Sequence, residues 1–96
     1  MHFELRGSAR ADLAGIWLVS ANRWGVDQAE AYVRLIGERL AAICDFPRSY
    51  PVHQGRHEGF RKAATGEHVI FYWIQSDLID VVRVLHNRMD FDELLE

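Results

Sequence analysis

Polar and apolar residues alternate at the start of the chain, placing Phe3 and Leu5 on one side of a short strand over 2–6. Gly7 ends it. Ser8 suits an N-cap, because its hydroxyl can accept from the free amides of a helix's first turn, and Asp12 near that start complements the helix dipole. Leu13, Ile16, Trp17 and Ser20 recur at helical spacing and predict a helix over 9–23. Trp24-Gly25 is the turn. Asp27 caps or opens a second helix, whose apolar stripe is Ala29, Val33, Ile36, Leu40 and Ile43. That helix runs to residue 45, a length of about 30 Å at 1.5 Å per residue. The two form a helical hairpin with apolar faces turned one way.

From Asp45 to Glu58 the chain has two prolines, a glycine and no periodicity. Connections of about 14 residues are long for a compact domain and are commonly functional. Three strands follow over 59–64, 67–75 and 78–87, joined by the short polar turns Thr65-Gly66 and Ser76-Asp77, so neighbours pair as antiparallel hairpins. In the middle strand Val69, Phe71 and Trp73 share one face, while His68, Ile70, Tyr72 and Ile74 share the other. Both faces are apolar, so both must be covered. The helical hairpin covers one; the other falls to the C-terminal tail, a second subunit or a partner segment. In that tail Asp90, with Glu93 three residues later, makes a capping-box pattern for a short helical turn.

The order β-α-α-β-β-β gives an α+β fold, a helical hairpin packed on a mostly antiparallel sheet with a short C-terminal helical turn. The last strand carries its most distinctive chemistry. Val81, Val82, Val84 and Leu85 suit a strand buried on both faces, yet Arg83 interrupts them, and His86, Arg88 and Asp90 crowd the strand's end. A guanidinium there needs a partner, since an unpaired buried charge is costly. Asp80 and Asp90 are the nearby carboxylates, although strand alternation points Asp80 to the opposite face. His86 is expected to fix the strand end through Asp90 or backbone.

Composition narrows the classes. Ninety-six residues make a single domain, 1–96, and chains of this size bury roughly two-thirds of the surface exposed when unfolded. No run of about 20 apolar residues offers a membrane span, and the N-terminus does not resemble a signal peptide. One cysteine, Cys44, cannot form an internal disulfide, which fits a reducing cytoplasm; at its helix end it is expected to be a buried or half-buried thiol. The net charge of −3 argues against a dedicated nucleic-acid binder but leaves room for a local basic patch, so direct nucleic-acid binding stays open. His53 and His57 share a loop at a spacing seen in metal sites, with His68 a distant third, but no carboxylate is obviously paired with them; no metal and no cofactor is expected. Trp17, Trp24 and Tyr32 are expected to pack the helical hairpin.

The chain resembles the ParE-type toxins of the RelE/ParE superfamily, the toxic halves of bacterial toxin–antitoxin pairs. The resemblance rests on Ala11-Asp12-Leu13 with Ile16, Trp24-Gly25 with Gln28-Ala29 and Tyr32, and Phe46-Pro47. It continues through Gly59-Phe60-Arg61-Lys62, His68-Val69-Ile70-Phe71-Tyr72 and Val82-Arg83-Val84-Leu85-His86-Asn87-Arg88-Met89-Asp90, in order over nearly the whole length. It implies the topology already read from the pattern. It also implies a type II toxin neutralised by a ParD-like antitoxin as a hetero-oligomer, with plasmid stabilisation as its setting.

Relatives divide into ParE-like members, which poison DNA gyrase by trapping its cleaved-DNA complex, and RelE-like members, which cut messenger RNA on the ribosome. The last-strand ending looks like the first kind. The expected target-binding surface is Arg83, His86, Arg88, Met89 and Asp90, with Arg61 and Lys62, and no catalytic residue. The alternative is an endoribonuclease using His86 with Arg83, Arg61 and Lys62; against it, no Tyr follows Tyr72 and the chain has a single Lys. A third reading is an inactive homologue that still binds antitoxin.

Overall fold

The computed structural model describes residues 1–57 and 59–95; Glu58, expected at the end of the long connection, lies outside them. The elements are β1 (His2–Leu5), α1 (Gly7–Trp24), α2 (Val26–Asp45), β2 (Arg61–Thr65), β3 (His68–Gln75), β4 (Leu78–His86) and α3 (Phe91–Leu94). They build one four-stranded sheet in the order β1-β4-β3-β2, antiparallel except for the β1–β4 pair. The α+β topology expected from the pattern is the one found.

The two faces of β3 go to two cores. Ile70 and Tyr72 pack with Ile79, Val81 and Val84 of β4 against Ile16, Ile36, Leu40 and Ile43 of the helices. Val69 and Phe71 pack with Phe60, Val82, Leu85 and Leu95 on the opposite, outer face, flanked by Trp73, Phe91 and Leu94. Within the described residues the outer face is roofed by the C-terminal tail together with the long connection, which brings in Phe60 and the His53 ring, 5.4 Å from that of Phe71. Tyr72 reaches out of the helix-side core to donate its hydroxyl to the Pro47 carbonyl at 2.6 Å, and burial pushes its pKa up to about 12.

One irregularity shapes everything downstream. The β3–β4 register pairs Phe71 with Arg83 but Tyr72 with Val81, so Val82 is an extra residue on β4. Alternation is broken there, and Val82 and Arg83 both belong to the outer face.

β1 ends at Leu5, opposite Val81, and leaves the rest of β4 without a strand on that side. The start of α1 replaces it. The Arg6 amide donates to the Val81 carbonyl at 3.0 Å, the Ser8 hydroxyl donates to the Val82 carbonyl at 2.7 Å, and the Asp12 carboxylate accepts the Val84 amide at 2.9 Å. Two expectations are corrected by this. The helix begins at Gly7 with Arg6 as its cap position, so Ser8 serves the sheet rather than capping the helix. Asp12 lies beyond the first turn and is likewise spent on β4.

Gly25 alone separates the helices, at φ +94°, which a side chain rarely adopts. Asp27 sits in the first turn of α2 without capping it. β2 starts at Arg61 rather than residue 59, because Gly59 turns at φ +91° against the Trp73 ring, where a Cβ would come within 2.8 Å.

Candidate functional site

The end of β4 and the turn after it gather most of the chemistry. Arg83 donates Nε to Asp12 Oδ2 at 2.8 Å and Nη2 to Asp12 Oδ1 at 2.9 Å, and gives Nη1 to the Leu94 carbonyl at 3.0 Å. The Asp12 hydrogen bonds raise its already high pKa. Its partner is therefore neither Asp80 nor Asp90. Asp80 instead holds Arg6, whose Nη2 lies 2.7 Å from Oδ2, and Asp90 caps α3 by accepting the Glu93 amide at 3.3 Å.

His86 lies on the helix-side face, paired across the strands with His68, and their ring centroids are 5.3 Å apart. Its Nδ1 accepts the Arg88 amide at 3.2 Å, which is the backbone tether expected for it, and its Nε2 is 3.7 Å from Glu67 Oε2. Asp90 takes no part. The Tyr32 hydroxyl accepts the Glu67 amide at 3.0 Å and stands 2.6 Å from His68 Nδ1. The hydroxyl oxygen can accept a second bond or donate its own proton, so the 2.6 Å contact suits either neutral tautomer of His68. Burial, reinforced by His86, lowers the His68 pKa. Gly66 makes this contact possible: at φ +57°, its missing Cβ would fall 2.7 Å from the Tyr32 ring.

One aromatic assignment changes: Trp24 is 58% exposed under the Arg23 guanidinium instead of packing the hairpin, whereas Tyr32 packs against the helix-side core as expected and also ties the hairpin to the β2–β3 turn. Ile16, Val19, Trp24, Tyr32, His68 and His86 line a groove of about 390 Å³ beside this cluster. Arg88, Met89 and Asp90 form the exposed turn beyond it, closed by the Met89 amide donating to the His86 carbonyl at 3.0 Å.

The family of the chain can be read from its whole length. The family model for the ParE toxin of the type II toxin–antitoxin system parDE matches residues 3–91, from β1 into α3. The chain belongs to the ParE toxin family. It is 41% identical over 94 residues to Toxin ParE1 of Mycobacterium tuberculosis (strain H37Rv), covering 97% of this chain and 96% of that protein. With Toxin ParE1 of Caulobacter vibrioides it shares 35% over 88 residues, 92% and 91% of the two chains. The fold is also that of the solved chromosomal ParDE system from P. aeruginosa, at a TM-score of 0.79 and 17% identity over 90% of this chain and 95% of that one. The HP0894 protein of Helicobacter pylori follows at 0.60 and 16%, over 90% and 93%.

In this ParE toxin the four side chains named for a nuclease do not converge. Arg61 pairs with Tyr72 and belongs to the helix-side face, while Lys62 pairs with Phe71 and belongs to the outer face. Arg83 shares the outer face and His86 the helix side. Arg61 and His86 lie opposite residues of β3 four positions apart, about 13 Å along the strand at 3.3 Å per residue. Arg61 is anchored to neutral acceptors, its Nη1 donating to the carbonyls of Arg48 and Tyr50 at 3.3 and 2.7 Å.

One of the loop histidines, His53, has a carboxylate after all. His53 Nε2 lies 3.1 Å from Asp92 Oδ1, and His57 Nε2 donates to the Asp92 backbone carbonyl at 2.9 Å. The Arg56 amide adds a third bond to this residue, donating to Asp92 Oδ1 at 3.1 Å. The His53 hydrogen bond leads in holding the Asp92 carboxyl below its ordinary range. Among the described residues, no three of His, Cys, Asp or Glu gather where they could hold a metal ion. Cys44 is the half-buried thiol expected, its pKa pushed up by burial.

Two missed residues had a signal in the sequence. Ser8 and Asp12 stand four positions apart on the helical stripe continued by Ile16 and Ser20, both buried. Polar residues extending a buried stripe want partners across the interface. Asp92 had no comparable signal, since its loop partners stand 35 to 39 positions away.

Proposed function

We propose that this ParE toxin poisons DNA gyrase by trapping its cleaved-DNA complex, acts in the cytoplasm, and is neutralised by a ParD-type antitoxin in a hetero-oligomer. The observation that carries the reading is the division of Arg61, Lys62, Arg83 and His86 between two sheet faces, with Arg83 bound to Asp12. Acid–base cleavage of RNA needs such groups within hydrogen-bond reach of one phosphate. A binding protein does not. Its effect comes from favouring one state of its target, which shifts that state's population by the difference in affinity.

The target-facing surface in this reading is the exposed turn Arg88, Met89 and Asp90, with His86 at its base. Arg83 serves it as a positioning residue: its bond to the Leu94 carbonyl holds the tail that follows the turn. The antitoxin answers a different feature. Val19, 57% exposed on α1, joins Ile16 and Trp24 along the groove beside the hairpin. Covering such surface contributes about 25 cal/mol per Å² before ordering costs.

A supercoiling assay with purified gyrase tests the reading. Inhibition at micromolar toxin, relieved by the cognate antitoxin, is the expected result. Undiminished supercoiling overturns it, and translation-dependent message cleavage that disappears in His86→Ala puts the ribonuclease in its place.

A further inference from the structure

Among the described residues, the β2 side of the molecule carries four cations with no carboxylate bound to any of them. Arg61 is fixed by the carbonyls of Arg48 and Tyr50. Arg39 of α2 donates Nη1 to the Tyr50 hydroxyl at 3.3 Å, its guanidinium 5.9 Å from that ring's centroid. Arg48 is exposed on the segment that also supplies Tyr50. Lys62 turns its side chain to the outer face, while its amide donates to the Pro51 carbonyl at 3.0 Å. Val52 bridges to Arg61, so this segment lies antiparallel beside the free edge of β2, with Arg61 on the helix side of that edge and Lys62 on its outer side.

Among the described residues, Arg39, Arg48, Arg61 and Lys62 make no ion pair; the arginine–aspartate pairs Arg6–Asp80 and Arg83–Asp12 lie on the β1–β4 side. Glu38 lines the cleft beyond Arg39 and Asp45 ends α2, but neither pairs with the four. The charge asymmetry is large for a chain of net −3. With Glu38 and Asp45 counted beside the four cations, the other seven Arg stand against twelve Asp and Glu, so this border keeps a positive balance on an otherwise acidic molecule.

Guanidinium groups anchored to neutral oxygens keep their full charge and are already oriented. Arg39 and Arg61 held in this way, with the unbonded side chains of Arg48 and Lys62 near the same open edge, match a linear polyanion better than a single small anion. We propose that this border binds the sugar–phosphate backbone of duplex DNA, with Arg39, Arg48, Arg61 and Lys62 contacting phosphate oxygens and Tyr50 holding Arg39 and Arg61 in register. The assignment rests on the gyrase reading for its setting, where cleaved DNA lies within the trapped complex. It requires no base contact, so the binding is indifferent to sequence.

Anisotropy of a short labelled duplex, titrated with the full-length toxin across a salt series, tests it. Four phosphate contacts predict a slope of log K against log salt of about −3.6, and each cation removed lowers its magnitude by about 1. The variant Arg48→Ala/Lys62→Ala removes two side chains with no bonded partner among the described residues, so its circular dichroism should match the parent and its slope should fall to about −2. Arg61→Ala serves as a second variant, with the same loss of one unit. Absence of salt-dependent binding, or an unchanged slope in the folded double variant, overturns the proposal. Gyrase inhibition without DNA binding would retain the gyrase reading and discard this border; weaker capture of DNA-free gyrase by the double variant would then assign it to an acidic protein surface. DNA binding without gyrase inhibition would keep the border and discard the target.

Discussion

Asp12 and Arg83, 71 positions apart, form a two-pronged ion pair in which the same carboxylate also accepts the Val84 amide. Asp12 therefore does two jobs: it neutralises the guanidinium and closes the edge of β4 beyond the end of β1. Its side chain is 14% exposed and that of Arg83 is 23%, so water replaces neither partner well. Removing Asp12 leaves the Val84 amide without its acceptor and Arg83 with the Leu94 carbonyl alone, whereas Arg83→Met leaves Asp12 still bonded to the amide and gives up the Leu94 carbonyl. Asp12→Ala should cost about 2–4 kcal/mol, and Arg83→Met about half that. Chemical denaturation of both variants checks the order. Equal losses, or a larger one for Arg83→Met, would show that Asp12 does not close the sheet.

The C-terminal tail is held at Asp92, and Gly55 is what lets the loop close over it. A Cβ at Gly55 would overlap Asp92 Oδ1 and come within 2.6 Å of His53 Nε2. Gly55→Ala should therefore loosen α3 and destabilise the fold by about 1–2 kcal/mol. Asp92→Asn should speed amide exchange at Leu94 and Leu95, whose amides donate to Asp90 and Phe91, while exchange in β3 stays slow. Uniform exchange rates across the two proteins would mean the tail is held by its apolar contacts alone.

Asp92 also gives the tail a pH dependence. Its folded pKa is depressed by His53, so its contribution is present above the ordinary value of 3.8 and is lost as pH falls through the lower folded value. Tail protection should decline in acid, and Asp92→Asn should lack that decline.

His68 acts at higher pH with the same sign. Its folded pKa lies below the ordinary 6.5, so the unfolded chain takes up a proton first as acid is added. Stability should fall as pH drops from 6.5 toward the folded value. Protonation fixes Nδ1 as a donor toward the Tyr32 oxygen, which already accepts the Glu67 amide. Melting temperatures of the parent and His68→Gln from pH 7.5 down to about 5 read this. The parent should lose ground over that interval relative to the variant; parallel curves would show that His68 does not titrate below its unfolded value.

The sequence disclosed what short-range patterning governs. Ile70, Tyr72, Val69 and Phe71 alternate strictly enough to announce two covered faces, and Ile36, Leu40 and Ile43 mark the buried stripe of α2. Local chemistry near a boundary was ambiguous. A serine at a helix start can accept from the helix or donate to a neighbouring strand, and Ser8 donates to Val82 because β4 had an open carbonyl there. Arg83 advertised its need for a carboxylate, but the Val82 bulge changed its face, and helix packing brought in Asp12 ahead of the nearer Asp80. The candidate site divides in the same way. Arg88, Met89 and Asp90 stand together because they are adjacent in the turn, whereas Arg61, Lys62, Arg83 and His86 are distributed by strand parity and a register shift that no local pattern encodes.

The central claim is that this toxin stabilises a gyrase–DNA state without itself breaking a phosphodiester bond. The most direct measurement is the form of plasmid recovered, after detergent and protease treatment, from gyrase incubated with ATP and the full-length chain. The account predicts accumulation of linear plasmid that depends on gyrase and is absent with toxin alone. Fully supercoiled plasmid with no linear product, at toxin in excess over gyrase, would contradict it.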